Sequence, residues 1–423
     1  LREDVKRWRA LDYEGATQVT KELLRYWWRD DRARRLFFCQ LEAAETVIFL
    51  TEIRLSDKYL RFKPAFRDED LAQLRDADLL RMGLKMATGS GKTVVMAMLI
   101  AWAFCNRGKV PSDTRFPKAA LVVCPNLTIR ERLQVLRPES EANYFEEFDI
   151  VPSRLRPELN KGQVMITNWH LFLPESEHVE AGESYTVVNK GPEGPEAFAR
   201  RVLGDLADLS LPPRAGGQRG VRAAGGGGGV VVFNDEGHHA WRPNPLVVAS
   251  DGHVDTSELE EATVWVTGLD KLSAAVGIRA CIDLSATPFY LQGSGYVEGS
   301  PFPWLVSDFG LVDAIESGLV KIPRLPVSDT TGRPDPKYFH LWHSITDELQ
   351  PGEKLPGRAG KPKPEVVYRE AEGALQTLAG QWVERFEYIR DAGPGKDNTP
   401  PVLIIVCDNT DLAEVFYRAI SGE

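Results

Sequence analysis

The most informative stretch of the chain is Met86-Ala87-Thr88-Gly89-Ser90-Gly91-Lys92-Thr93. An alternating apolar run ends at Met86 and predicts a half-buried strand, and an apolar run long enough for a buried helix follows Thr93. Strand, glycine-rich turn and helix are the context of a phosphate-binding loop, because glycines let backbone N–H groups converge on phosphate oxygens at a helix N-terminus. Lys92 is expected to reach the β- and γ-phosphates of a nucleotide, and the Thr93 hydroxyl to ligate Mg²⁺. The first glycine of the usual pattern is Met86 here, so a glycine-rich surface turn is the alternative interpretation.

Composition bounds the class of protein. The 423 residues suffice for two or three domains, and 43% hydrophobic with 26% charged residues is typical of globular proteins. A net charge of −10 argues against a generally basic nucleic-acid-binding surface but leaves room for a local basic channel. Five cysteines without C-x-x-C spacing predict buried thiols in a reducing compartment, and no apolar run reaches the roughly 20 residues of a membrane span. We therefore expect a cytoplasmic chain with no membrane partner. Because the chain does not begin with Met, we expect its true start to lie upstream.

The pattern along the chain predicts an α/β fold. Residues 1–60 are expected to be helical, with helices over 17–30 and 33–53. A first α/β domain over 61–322 follows. Continuous, β-branched-rich runs predict a mostly parallel sheet covered on both faces, with strands over 80–86, 119–124, 163–167, 230–234 and 280–284.

Two proline- and glycine-rich stretches interrupt this pattern. Residues 174–229 are predicted to be an insertion with one helix near 196–209, and residues 323–365 a proline-rich linker or arm. Beyond the linker, residues 366–423 predict the start of a second α/β domain. It would hold a helix over 366–390, a buried strand over 402–407 and a helix capped near Asn409.

A second motif, Asp235-Glu236-Gly237-His238-His239, follows the predicted strand 230–234. Carboxylates at the carboxyl end of a parallel strand lie where ligands bind in open α/β sheets. Asp235 is expected to hold Mg²⁺, and Glu236 to polarise the water that attacks the γ-phosphate. His238 is placed to sense the phosphate. A zinc site that also uses His170 is the alternative, but adjacent histidines leaving a strand point apart and no H-x-x-x-H or cysteine partner follows.

A third motif, Ser285-Ala286-Thr287-Pro288, ends the predicted strand 280–284. The Ser285 and Thr287 hydroxyls are expected to couple the acidic pair to the second domain. Alone, this motif would be interpreted as a strand-ending turn. Its weight comes from the order of three motifs, each of which follows a strand.

These three motifs together resemble the ATPase core of superfamily 2 helicases and translocases, and most closely the restriction (R) subunits of type III restriction enzymes. Weaker matches are Cys124-Pro125-Asn126-Leu127, Ile166-Thr167-Asn168-Trp169-His170 and the segment from Val402 to Thr410. The resemblance implies a RecA-like P-loop NTPase domain and the start of a second RecA-like domain. It implies ATP and Mg²⁺ as cofactors, with Gln40 reading adenine and the nucleotide held by Thr88, Gly89, Ser90, Gly91, Lys92 and Thr93.

The resemblance also implies a nucleic-acid path across the first domain. Its residues would be Pro125, Asn126, Thr167, Asn168 and His170, and an ordinary polar role in a loop is the alternative for each. The expected substrate is double-stranded DNA tracked along one strand, with a modification and specificity methyltransferase as partner subunit.

Some parts of the family pattern are missing. The family's later motifs, with an arginine that contacts the γ-phosphate, find no place before Glu423, so we expect the protein to continue and this stretch to hydrolyse ATP slowly. Pro334-Asp335 is the best nuclease-like dipeptide, but no E-x-K triplet follows it. We interpret the chain as an ATP-dependent DNA translocase of a phage-defence enzyme. The alternatives are a repair or RNA helicase without nuclease and a nucleotide-gated nucleic-acid-binding module.

Overall fold

The computed structural model describes residues 1–56, 64–173, 179–180, 183–184, 193–207, 229–244, 256–290, 294–322, 341–347, 349–355, 361–391 and 399–422. The chain divides into two compact units, Leu1–Lys321 and Ile322–Glu423. Among the described residues, no helix combines the length and the apolar character needed to cross a membrane.

The first unit is built around a seven-stranded sheet. Its strands are β1 (Arg75–Asp76), β2 (Leu79–Met86), β3 (Ala119–Cys124), β4 (Gln163–Asn168), β7 (Val230–Asp235), β8 (Ile278–Ser285) and β9 (Leu305–Phe309), while β5 (Val179–Glu180) and β6 (Glu183–Ser184) form a separate pair. The order is β1-β2-β8-β7-β3-β4, and β9 also pairs with β2. Every pairing in the large sheet is parallel except that of β1 with the start of β2. This confirms the predicted α/β class and all five predicted strands. The edge strand β9 was not predicted.

Apolar layers cover both faces of the sheet. In β3, Ala120, Val122 and Cys124 lie in one core cluster. The alternating residues Ala119, Leu121 and Val123 lie in another. The prediction that the strand before the phosphate loop is only half-buried is therefore wrong, because β2 is buried on both faces along nearly its whole length. A parallel sheet between two helical layers has no solvent face.

The helices of the first unit lie on both sides of this sheet. They are α1 (Arg2–Ala10), α2 (Gln18–Trp28), α3 (Phe38–Ile48), α4 (Asp68–Ala72), α5 (Lys92–Lys109), α6 (Leu127–Arg132), α7 (Tyr144–Glu147), α8 (Arg156–Leu159), α9 (Pro195–Leu203), Thr256–Val276 and Leu311–Glu316. The predicted helices 17–30 and 33–53 correspond to α2 and to α3 with its π-helical extension Phe49–Arg54. The helix α1 lies in the stretch 1–60 that was expected to be helical, although no separate helix was predicted there. In the insertion, α9 matches the predicted helix near 196–209 and packs on Thr256–Val276.

Buried carboxylates of α3 and its extension connect the N-terminal helices to one another and to α5. Glu45 accepts hydrogen bonds from the Tyr13 hydroxyl at 2.8 Å and the Trp28 indole at 2.7 Å. Glu52 accepts from the Thr20 hydroxyl at 2.7 Å and from Trp102 of α5 at 3.2 Å. Because these partners satisfy the buried charges, the N-terminal helices pack as a part of the first unit.

The second unit contains the helices Leu341–Asp347, Pro364–Arg390 and Thr410–Ser421. The predicted helix over 366–390 is confirmed, and the Asn409 side chain accepts from the Leu412 N–H at 2.9 Å as its predicted capping role requires. The predicted buried strand over 402–407 is wrong. This segment pairs with no strand in the described part of the chain, and Val402 and Val406 are 80% and 90% exposed. Most of the predicted linker 323–365, with Pro334-Asp335, lies outside the described residues.

Candidate nucleotide site

The phosphate loop connects β2 to the eighteen-residue helix α5. Gly89 and Gly91 have φ values of +84° and +88°, a backbone conformation that side-chain-bearing residues rarely adopt. The turn is closed by the Ser90 hydroxyl, which donates to the Ala87 carbonyl at 2.6 Å. Thr88 and Gly89 are exposed, and Lys92 and Thr93 lie half-buried at the first turn of α5. Since the first N–H groups of a helix have no partner within the helix, this end can receive an anion.

Gln40 holds the loop from the side of the N-terminal helices. Its Nε2 donates to the Ser90 carbonyl at 3.0 Å, and its Oε1 accepts from the Phe37 N–H at 2.9 Å. The side chain is 4% exposed, and a Cβ on Gly91 would lie 2.1 Å from Gln40 Nε2. The predicted contact of Gln40 with adenine stays a prediction. The two hydrogen bonds of the Gln40 side chain, to Ser90 and Phe37, hold the phosphate loop against the N-terminal helices, and we call this contact the clamp.

The acidic motif lies across a gap from this loop. The strand β8 separates β2 from β7, which places the two motif-bearing strands about 10 Å apart at the usual spacing of about 4.8 Å between neighbours. Glu236 adopts a left-handed conformation with φ of +50°, which is uncommon for a residue with a side chain. Its carboxylate accepts a hydrogen bond from the Lys92 ammonium, so the two motifs meet above β8.

Asp235 ends β7 directly before Glu236 and is 8% exposed. Burial raises the pKa of Asp235 to about 6, and Lys92 acts in the opposite direction, so the two lie within electrostatic range. A cation would offset this desolvation, since carboxylate oxygens are ligands that Mg²⁺ prefers. The glycine loop, the helix end, Lys92 and a buried carboxylate together fit a nucleotide with Mg²⁺. The Thr93 hydroxyl lies at the start of the same helix turn as Lys92.

His238 connects the acidic motif to the third motif. Its Nδ1 lies 2.8 Å from the Ser285 hydroxyl and 3.4 Å from Glu236 Oε2. Burial, with the neighbouring His239 adding to it, lowers the pKa of His238 to about 4. The neutral ring can therefore accept from Ser285, whose oxygen also accepts from the Thr287 N–H at 2.9 Å. Thr287 itself is exposed and takes part through its backbone.

The predicted nucleic-acid residues lie at the carboxyl ends of β3 and β4, where Cys124 is in register with Asn168. Asn126 is exposed and caps α6, because its side chain accepts from the Ile129 N–H at 3.0 Å. Pro125 and Asn168 are half-buried. His170 is exposed and stacks on Trp169 with ring centroids 3.9 Å apart.

Thr167 differs from the rest of this group. It is 4% exposed, and its hydroxyl donates to the Asn168 carbonyl at 3.3 Å, so its side chain offers little to an external ligand. The other four residues lie at the carboxyl ends of β3 and β4, and their contact with nucleic acid stays a prediction.

A family model described as "Type III restriction enzyme, res subunit" matches residues 39–289, more than half of the chain. The chain belongs to this family. The match includes Gln40, the phosphate loop, the acidic motif and the third motif. Family membership and the mostly parallel sheet identify the first unit as a helicase-like P-loop domain with a RecA-like fold. Comparison with curated proteins gave no match, and comparison with solved structures gave none either.

Buried charged groups beside the site lie outside the three sequence motifs. Arg81 lies in the middle of β2 with no exposed surface and bonds to Asp283 of β8. A charge inside an apolar strand was the available signal, since such residues are rarely buried unless paired.

Proposed function

We propose that this chain is the ATP-dependent motor of a type III-like restriction enzyme, which hydrolyses ATP with Mg²⁺ to move along double-stranded DNA. The observation that carries the proposal is the pairing of Lys92 with Glu236 above β8. This pairing brings a residue suited to bind phosphate against a residue suited to activate water. Family membership supports the motor class.

Each residue of the site has a role in this proposal. The backbone of residues 88–91 and the first turn of α5 would bind the phosphates, and Lys92 would leave Glu236 to contact them. Glu236, freed from its ion pair, would take the proton of the attacking water. When bound, Mg²⁺ would neutralise charge on the phosphates, held by Asp235 and Thr93.

The link from His238 to Ser285 supports coupling of hydrolysis to movement. A neutral histidine between the acidic motif and the strand end at Ser285 can change partners without a charge being buried or exposed. His238, Ser285 and the Thr287 backbone would transmit the state of the site to the second unit. The edge formed by Pro125, Asn126, Asn168 and His170 would contact the DNA backbone, which is read without base contacts. A methyltransferase partner would supply sequence recognition.

The test compares Glu236→Gln with Lys92→Ala in the full chain, with Lys109→Ala as the matched control at the far, exposed end of α5. Glu236→Gln should bind ATP with affinity within about threefold of wild type, while losing roughly 10²–10⁴-fold in single-turnover hydrolysis, the usual contribution of a general base. Lys92→Ala should lose nucleotide binding, and Lys109→Ala should behave as wild type.

Two outcomes would refute this proposal. One is unchanged nucleotide binding by Lys92→Ala. The other is a wild-type chain that binds ATP and DNA but never turns nucleotide over, which would support the nucleotide-gated binding module instead. DNA-stimulated hydrolysis in wild type, absent from Glu236→Gln, is the expected result.

A further inference from the structure

A buried arginine lies beneath the turn that carries Glu236. The Arg81 side chain is completely buried, and its guanidinium bonds in three directions. Nε donates to Asp283 Oδ2 at 2.9 Å, Nη1 to Asp76 Oδ2 at 3.1 Å, and Nη2 to the Ala240 carbonyl at 2.5 Å. Its fourth neighbour is the ring of Trp304, whose centroid lies 4.2 Å from the guanidinium carbon.

Two of these partners determine where the Glu236 turn lies. Ala240 directly follows the short helical turn Gly237–His239, so its carbonyl fixes the exit of the turn. Asp283 forms the floor, because a Cβ on Gly237 would lie 2.8 Å from Asp283 Cβ. Asp283 also accepts from the Asn234 side chain at 2.6 Å, and Asn234 immediately precedes Asp235. One guanidinium therefore connects both sides of the acidic motif.

Burying the charges of Arg81 and its aspartate partners costs free energy, and packing alone does not explain why a charged cluster lies here. Burial opposes the charge of Arg81, although Asp283 and Asp76 outweigh this and raise its pKa. Replacing a buried ion pair by apolar side chains of similar volume is often neutral or stabilising. A planar fork with five donors, in contrast, can fix three partners at set angles, which neither an apolar side chain nor a lysine can do.

We propose that Arg81 is a positioning residue for Glu236. It touches no reacting atom. Through Ala240 and Asp283 it holds the turn in the position at which the Glu236 carboxylate reaches Lys92 past the carboxyl end of β8. This inference rests on the proposed function, since its effect is read from hydrolysis.

The test is a double-mutant cycle in the full chain between Arg81→Lys and Glu236→Gln. Arg81→Lys keeps the charge and a bond to Asp283 but cannot hold Asp76 and Ala240 together. It should leave ATP affinity within about threefold of wild type and reduce single-turnover hydrolysis by about tenfold or more, because loss of preorganised geometry affects the reaction step. In the Glu236→Gln background, Arg81→Lys should cause no further loss, since residues that act through one group are non-additive. Arg75→Lys, at the exposed residue of β1 beside Asp76, is the matched control and should behave as wild type.

A second variant covers the case in which Arg81→Lys does not fold. Arg242 donates to Asp76 Oδ1 at 2.7 Å and bonds to Asp270 through two further contacts of 2.7 Å, and its side chain is 30% exposed. Arg242→Lys should loosen Asp76 and give a smaller loss, about threefold, with the same non-additivity.

The outcomes separate the two proposals. Equal losses from Arg81→Lys in the wild-type and Glu236→Gln backgrounds would overturn the positioning role, as would a loss of ATP binding or unchanged hydrolysis. A wild-type chain that binds ATP without hydrolysing it would instead refute the proposed function.

Discussion

The clamp between Gln40 and the phosphate loop can be tested by adding a single methyl group at Gly91. Gly91→Ala introduces a Cβ at a residue with φ of +88°, and this Cβ would lie 2.1 Å from Gln40 Nε2. Gly89 is the matched control, because its φ is +84° but no atom lies within 4 Å of the Cβ position. Both alanines would have a similar positive φ, and only the one at position 91 meets a side chain.

The expected magnitudes follow from these two terms. The left-handed conformation costs an alanine roughly 1–2 kcal/mol, so Gly89→Ala should lower the free energy of unfolding by that amount. Gly91→Ala must also displace Gln40 from the Ser90 carbonyl and the Phe37 N–H. At roughly 0.5–1.5 kcal/mol for each hydrogen bond, the total loss becomes about 2–5 kcal/mol.

Urea denaturation followed by circular dichroism measures both losses without any nucleotide. A third variant, Gln40→Ala, removes the atom that Gly91→Ala would meet. In that background the effect of Gly91→Ala should fall to about 1–2 kcal/mol, the strain term alone. Equal losses for Gly89→Ala and Gly91→Ala, or no relief from Gln40→Ala, would refute the clamp.

Three further predictions concern stability. Because burial raises the pKa of Asp235 to about 6, the ionised form is disfavoured in the folded chain. The free-energy cost of keeping Asp235 ionised is fully present well above pH 6 and decreases as the pH falls toward 3.8, the ordinary pKa of the group. Asp235→Asn should therefore raise the free energy of unfolding by about 3 kcal/mol at pH 8 and by about half that at pH 5. Urea denaturation without divalent cations measures both values. Gly162→Ala would bring a Cβ within 2.2 Å of Phe104 and should cost about 1–3 kcal/mol, and a melting temperature equal to wild type would contradict that contact. Asn409→Ala removes the cap on the Leu412 N–H and should cost the second unit about 1 kcal/mol, whereas Asn409→Asp, which keeps an acceptor, should restore most of it in thermal unfolding.

Local patterns were enough to predict most of the sheet. The central strands are continuous apolar runs whose neighbours cover both faces, and such runs are distinctive in any context. The phosphate loop was equally predictable, since Gly89 and Gly91 are the residues that its positive φ values require. The strand β9 was not predicted because an edge strand mixes buried and exposed positions, and here Asp308 is exposed beside the buried Phe309.

Other features depend on partners distant in the chain. Arg81 alternates with apolar residues, which favoured a solvent-facing position, while Asp283 and Ala240 are more than 150 residues away. The segment 402–407 shows the opposite error. Its apolar run is typical of a central strand, yet that state needs neighbouring strands, and no sequence window reveals whether they are present.

The hydrogen bonds from α2 and α3 to α5 and the phosphate loop have a practical consequence for the design of shorter fragments. A fragment begun at residue 61 would keep all three sequence signatures, yet Trp102 and Asn106 would lose their bonds to Thr20 and Ser90 its bond to Gln40. A domain boundary chosen from the sequence motifs alone would therefore break buried hydrogen bonds between the N-terminal helices and the sheet domain. A fragment that keeps these bonds must contain α2 and α3.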